Sequence, residues 1–222
     1  MRFTSWLAAT LTLAGAVQAA NAPAAPGAAP PLAAITNVAA LESLTGAASR
    51  SLKTARAIRG RFVQQRHLAG LVKPLESSGT FLFAREAGIE WHTLVPFDSQ
   101  FLLTDAGITQ RDEGGESLRI EATEQPALTV VSRVFFALFS LDFDALSHDF
   151  DMRGGRGARG WQIELTPRSE ALRKVFRRAL LTGDAAVERV VLEEGSGDAS
   201  IIDLSAVEFD PRGPTPDERR RF

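Results

Sequence analysis

The chain has 222 residues, 45% hydrophobic and 23% charged, which suffices for one well-cored domain with extra segments and leaves two full domains cramped. Its formal net charge of -2 excludes the concentrated basic excess of a nucleic-acid binder. The absence of cysteine excludes disulfides, thiol nucleophiles, Cys-ligated metals and a lipidated N-terminal cysteine.

Met1 to Gln18 reads as a secretory signal, with Arg2 as the positive n-region, Trp6 to Val17 as the apolar core and Val17-Gln18-Ala19 as the cleavage site. A second possible cut follows Ala22. An apolar core of about 12 residues is well short of the roughly 20 that span a bilayer. Residues 20–31, nearly all Ala, Pro and Gly, read as a flexible linker, because they carry too few large apolar groups to offset ordering entropy. Leu32 to Ala57 has a helical pattern through Leu41, Leu44 and Leu52, interrupted by Gly46.

Strand patterns follow at Ile58–His67, Glu76–Arg85, Gly88–Val95, Gln100–Thr104 and Ser117–Glu121, most with period-two alternation. Pro126 to Phe139 breaks this rhythm. It places Leu128, Val131, Phe135, Leu138 and Phe139 at helical spacing behind a proline suited to a first turn, the best amphipathic helix in the chain. Strands resume at His148–Met152, Trp161–Leu165, Phe176–Thr182, Val187–Glu193 and Ser200–Phe209, with turns expected over Arg153–Gly160 and Glu194–Asp198. Sheet, one helical interruption, then sheet again predicts an antiparallel α+β fold, a curved sheet covered by helices.

Other chemistry finds little support in the residues. Ser77-Ser78-Gly79 lacks the G-x-S-x-G elbow of a hydrolase, and His67, His92 and His148 have no metal-ligand spacing. Asp142 and Asp144 sit where aspartate caps a helix. Arg219-Arg220-Arg221 reads as a solvated tail.

One ordered set of motifs stands out: Phe62-x-Gln64, Gly79, Arg85, Ile89-x-Trp91, Pro96, and Asp105-x-Gly107, followed downstream by Trp161, Leu165 and Pro167. It resembles the LolA family of periplasmic outer-membrane lipoprotein carriers, over roughly Leu41 to Phe209. Departures from the family pattern are Glu86 in place of a proline after Arg85, Ala106 inserted in the Asp-Gly turn, Ile108-Thr109-Gln110-Arg111 in place of the usual Trp and Tyr, and the lack of any tyrosine.

The resemblance implies an incomplete, half-open β-barrel with a helical lid over an apolar cavity, spanning residues 32–210 and followed by a charged tail at 211–222. It implies Arg85 as a lid latch, an arginine donating to the backbone of the lid. Phe62, Phe81, Phe83, Ile89, Trp91, Phe101, Leu103, Val131, Phe135, Leu138, Trp161 and Ile163 are the expected acyl-cavity lining. The implied protein is an exported, periplasmic, non-enzymatic monomer with no cofactor, metal or catalytic residue. Its partners would be an acylated cargo, an inner-membrane transporter as donor and an outer-membrane acceptor, and no nucleic acid. The departures leave room for another acylated or polyene lipid as cargo, or for a lipid-sensing envelope adaptor; an exported hydrolase is the remaining alternative.

Overall fold

The computed structural model of the protein describes residues 32–35, 37–123, 136–137, 140–157 and 160–222. The expected signal segment and linker lie outside these residues, as does the expected helix Pro126–Phe139 apart from Phe136 and Ala137. Among the described residues, twelve strands form one antiparallel sheet. They are β1 (Ala33–Ala34), β2 (Ala57–His67), β3 (Leu75–Ala84), β4 (Gly88–Val95), β5 (Ser99–Thr104), β6 (Gly107–Asp112), β7 (Gly115–Glu121), β8 (Phe150–Gly157), β9 (Gly160–Pro167), β10 (Phe176–Gly183), β11 (Val187–Glu194) and β12 (Ala199–Asp210). The described helices are α1 (Val38–Thr45), α2 (Ala47–Thr54), α3 (Phe143–Asp149), α4 (Glu170–Val175) and α5 (Pro216–Arg219).

The strand order is β1-β8-β9-β10-β11-β12-β2-β3-β4-β5-β6-β7, so two meanders are joined where β12 pairs with β2 and the sheet stays open at its edges. A single core holds Ile108 of β6 near one edge and Met152 of β8 near the other, which requires the sheet to curve around it. Leu41 of α1, Leu52 of α2, and Phe143 and Leu146 of α3 join that same core. Helices therefore cover the concave side.

Several elements differ from the sequence expectation. The helical stretch ahead of β2 is two helices, parted at Gly46, whose φ of +46° is a backbone conformation few other residues adopt. His148 belongs to α3, which Asp142 caps by accepting from the Ala145 amide at 3.0 Å. Most of the expected Arg153–Gly160 turn is strand, because Met152 to Arg156 pair in register with β9 down to Trp161. An ideal Cβ on Gly154 would stand 2.8 Å from Ile35 and 3.0 Å from Leu44, so the missing side chain there seats α1 against β8. The run Ile108–Arg111 lies in β6, paired with β5 and β7.

The three arginines of the tail are exposed, as expected, but the segment that carries them is held against the sheet through Glu218 and Arg221. On the convex face Arg59, Leu82, Glu90 and Leu102 stand side by side across β2 to β5. The Arg59 guanidinium donates through Nε and Nη2 to the two Glu218 carboxylate oxygens, each at 2.7 Å. Arg221 pairs with buried Glu90 at 2.7 Å. Anchored on both flanking positions, the C-terminal segment passes over Leu82, which is buried although it faces away from the core. Glu218 also closes a capping box with Thr215 at the start of α5.

Two predictions follow from this packing. Gly79 of β3 lies where an added Cβ would stand 1.9 Å from the His92 carbonyl oxygen, a backbone atom of the neighbouring strand that cannot yield cheaply. Gly79→Ala should lower unfolding free energy by roughly 2–4 kcal/mol in urea titration; an unchanged midpoint would contradict this close approach. The hydrogen bonds from Arg59 lower the Glu218 carboxyl from 4.5 to about 2. A depressed carboxylate contributes stability in full above its unfolded value and loses it as pH falls through the folded one. Wild type should therefore lose an advantage over Glu218→Gln between pH 4.5 and 2, and thermal melts of the two across that window should converge at its acid end.

Candidate functional site

The register of the sheet decides which side chains share the concave face, since directly paired residues point the same way. One row runs Ile58, Phe83, Ile89, Leu103, Ile108, Ile120 from β2 to β7. The next runs Gly60, Phe81, Trp91, Phe101, Gln110, Leu118, and a third Phe62, Gly79, Thr93, Ser99, Asp112. The face thus grades from wholly apolar to polar along the strand direction. Beyond the β12–β2 joint, Ile163, Leu181, Val190 and Ile202 continue it across the second meander.

Of the expected lining residues, Phe62, Phe81, Phe83, Ile89, Leu103, Trp161 and Ile163 are buried, while Trp91 and Phe101 are half-buried. Phe62 stacks on Trp91 with ring centroids 3.9 Å apart, and Phe81 lies on the same ring at 6.0 Å. Trp161 and Ile163 sit on the other meander, where the Trp161 indole donates to the Asp184 carbonyl at 2.8 Å. Val131, Phe135 and Leu138 are outside the described residues.

Arg85 stands in the turn after β3. Its Nη2 donates to the Leu52 carbonyl at 2.8 Å and its Nε to the Ala55 carbonyl at 3.2 Å. Both acceptors belong to the C-terminal end of α2, whose last carbonyls have no partner within the helix. A guanidinium can serve two of them at once. The helical partner of Arg85 is therefore α2. Phe136, one of the two described residues of the expected lid, stands in the same neighbourhood, its ring 5.8 Å from that of Phe83. A cleft of about 80 Å³ lies beside this arginine, lined by Arg85, Glu86, Ala87, Asp105 and Phe136. Glu86, where the family motif has proline, takes both oxygens to the Arg56 Nη2 at 2.8 Å.

The polar end of the face carries residues that the sequence reading passed over. Arg66 follows Phe62 and Gln64 on the concave side, pairs in register with Ser200, and is 5% exposed. Its Nη2 lies 3.1 Å from Glu194 Oε2 and 3.9 Å from Asp198 Oδ2. Burial pushes the Glu194 carboxyl above its ordinary range, against the pull of Arg66. The signal available in the sequence was the even-numbered spacing of Arg66 from Phe62. Two of the three histidines have local partners: His92 meets Asp98 at 3.1 Å and His148 the Asp144 carbonyl at 2.8 Å. Among the described residues no group of three His, Asp or Glu side chains is placed to share a metal, and no helix is long and apolar enough to cross a membrane.

Replacing Arg85 by leucine should leave the strand spectrum intact and cost about 1–3 kcal/mol in urea unfolding, with faster amide exchange at the end of α2. Arg85→Lys should recover only part of this, since one ammonium cannot span both carbonyls. Unaltered exchange in α2 would show that Arg85 does not hold it.

No protein-family model matches this chain, and no curated protein matches it. Among solved structures it is similar to a LolA superfamily protein from Nitrosomonas europaea, at 11% identity and a TM-score of 0.42 over 79% of this chain and 94% of that one. It is also similar to an outer membrane lipoprotein-sorting protein domain from Vibrio parahaemolyticus, at 7% identity and a TM-score of 0.38 over 83% and 98% of the two chains. LprF from Mycobacterium bovis is a third, at 11% identity and a TM-score of 0.36 over 80% and 97%.

Proposed function

We propose that this protein is an exported carrier that shelters acyl chains on the concave face of its sheet while they cross the periplasm. The observation that carries the reading is the double hydrogen bond from Arg85 to the end of α2, a helix that packs on the apolar rows. Burying hydrocarbon is worth about 0.8 kcal/mol per CH2, so an acyl chain of some 15 such groups needs on the order of 10 kcal/mol of shelter in water. A carrier must also let go. An empty form with its apolar rows closed against helices, held by hydrogen bonds that exchange more readily than packed side chains, supplies the counterweight for release.

In this reading α1, α2 and Phe136 form the cover, and Arg85 is the latch that holds α2 down in the empty form. Cargo entering beside the half-buried Trp91 and Phe101 displaces the cover from Phe62, Phe81, Phe83, Ile89 and Leu103. Trp161 and Ile163, packed on the second meander, belong to the floor beneath. The cargo is an acylated lipid or lipoprotein, received at the inner membrane and delivered toward the outer one. An adaptor that senses such lipids would bind them and pass nothing on.

Uptake should change the emission of Trp91, which stacks on Phe62 at the entrance, and the change should vanish in Trp91→Phe while Trp161 stays silent. The Arg85→Leu variant should bind acyl chains yet deliver them to acceptor vesicles roughly tenfold more slowly, the loss expected from about 1.4 kcal/mol removed from the closed form. Delivery at the wild-type rate would end the latch role; binding without delivery in wild type would favour the adaptor.

A further inference from the structure

Among the described residues, the buried side-chain nitrogens and oxygens that find no hydrogen-bond partner are Arg66 Nε, Arg66 Nη1, Glu194 Oε1 and Ser200 Oγ. All four lie at one place, the polar end of the concave face. Arg66 and Ser200 are paired residues of β2 and β12, and Arg66 holds Glu194 of β11 through its remaining nitrogen. Ser200 is 0% exposed and Glu194 5% exposed. Leaving one such group unsatisfied is costly, and four together at random positions in a core would be unusual.

The apolar rows lead to this point. Along β2 the inward residues run Phe62, Gln64, Arg66, matched on β12 by Leu204, Ile202, Ser200. Arg66 is thus four residues, about 13 Å, from the Phe62–Trp91 stack along a continuous surface. Val190 and Leu192 of β11 flank Ile202 and Ser200 on the same face. A chain lying over the apolar rows would have its end beside Arg66.

The charges decide what kind of end fits. Arg66 brings one positive charge, whereas Glu194 and Asp198 place two carboxylates within 3.1 and 3.9 Å of it. An incoming carboxylate or phosphate would meet a cation already engaged and a Glu194 oxygen facing it. It could accept from Arg66 but could offer nothing to Glu194 Oε1. A group carrying both a carbonyl and a hydroxyl or amide N–H can accept from Nε and Nη1, and donate to Glu194 Oε1 or share a hydrogen with Ser200 Oγ.

We propose that Arg66, Glu194 and Ser200 form a head-group subsite that receives the uncharged, hydrogen-bonding end of an acyl ligand, an ester or amide with an adjoining hydroxyl or N–H, and disfavours a free acid or phosphate. This rests on the carrier reading and adds to it the class of head the cargo bears.

The test is competition of monomyristoylglycerol, methyl myristate and myristate against a fluorescent acyl probe on the purified protein. Monomyristoylglycerol should bind about tenfold more tightly than myristate, the gain expected from one to two net hydrogen bonds. Replacing the pair by apolar residues of similar size, Arg66→Met with Glu194→Met, should weaken methyl myristate, which loses only the bond its carbonyl accepts from Arg66, less than it weakens monomyristoylglycerol, and shrink the preference over myristate to about twofold. Ser200→Ala removes one hydroxyl without touching the ion pair, and should lower the preference about threefold; if the double variant does not fold, this variant decides alone. Preference for myristate, or a preference that survives in the folded variants because water alone serves these atoms, overturns the subsite while leaving the carrier reading standing. Failure of wild type to bind any of the three overturns both.

Discussion

The pairing of β12 with β2 is the constraint on which the rest of the molecule depends. These two strands, Ala57–His67 and Ala199–Asp210, are the longest in the sheet, and they lie at opposite ends of the described chain. Without their ladder the two meanders would be separate sheets. With it, Phe62 meets Leu204, Gln64 meets Ile202 and Arg66 meets Ser200, and the core becomes continuous from one edge to the other. The ladder also carries an irregularity between Ser205 and Glu208, where Ala206 takes a positive φ. Bulges of this kind increase local twist, and this one sits at the joint where the sheet must bend. The C-terminal segment reinforces the same joint from outside, with Glu218 on Arg59 of β2.

That geometry produces a concave surface with two different ends. At one end, a wholly apolar row lies in the core that α2 joins, and Arg85 takes two carbonyls at the C-terminal end of that helix. At the other, the rows give way to Gln64, Arg66 and Ser200. A surface made only of Phe, Ile and Leu would hold hydrocarbon without orienting it or letting it go. In the proposed carrier, the hydrogen bonds of Arg85 at one end and the buried polar group at the other would give the face the direction that transport requires.

Much of this was visible in the residues. Period-two alternation located β2, β3, β4, β5, β9, β10, β11 and β12 because each buries one face against the core and shows the other to solvent or to a surface segment. Arg85 stood out through its place in an ordered set of motifs, and it does reach helical backbone. The helix it reaches is α2, and no local pattern specifies which of several amphipathic segments settles over a given turn. Elements such as β6 and α4 carried no expectation at all, and three other differences have distinct reasons. In β8, Gly154 and Gly155 read as turn residues, and their use in packing beside α1 depends on a helix more than a hundred positions earlier. Helix α3 is only seven residues, too short to display a period. The hold of the tail on the sheet was not legible because the partners, Arg59 for Glu218 and Glu90 for Arg221, are distant in sequence.

Sequence alone determined the class: a chain without cysteine, with alternating apolar strands around one helical interruption, must bury a one-sided antiparallel sheet. Such information is local, because side-chain direction along a strand repeats every two residues. Tertiary structure decided which rows share the concave face, which helix Arg85 holds, that Arg66, Glu194 and Ser200 meet, and that the last residues cross the convex side. These follow from register between strands far apart in the chain, and register is set by the sum of many weak contacts that no single segment contains.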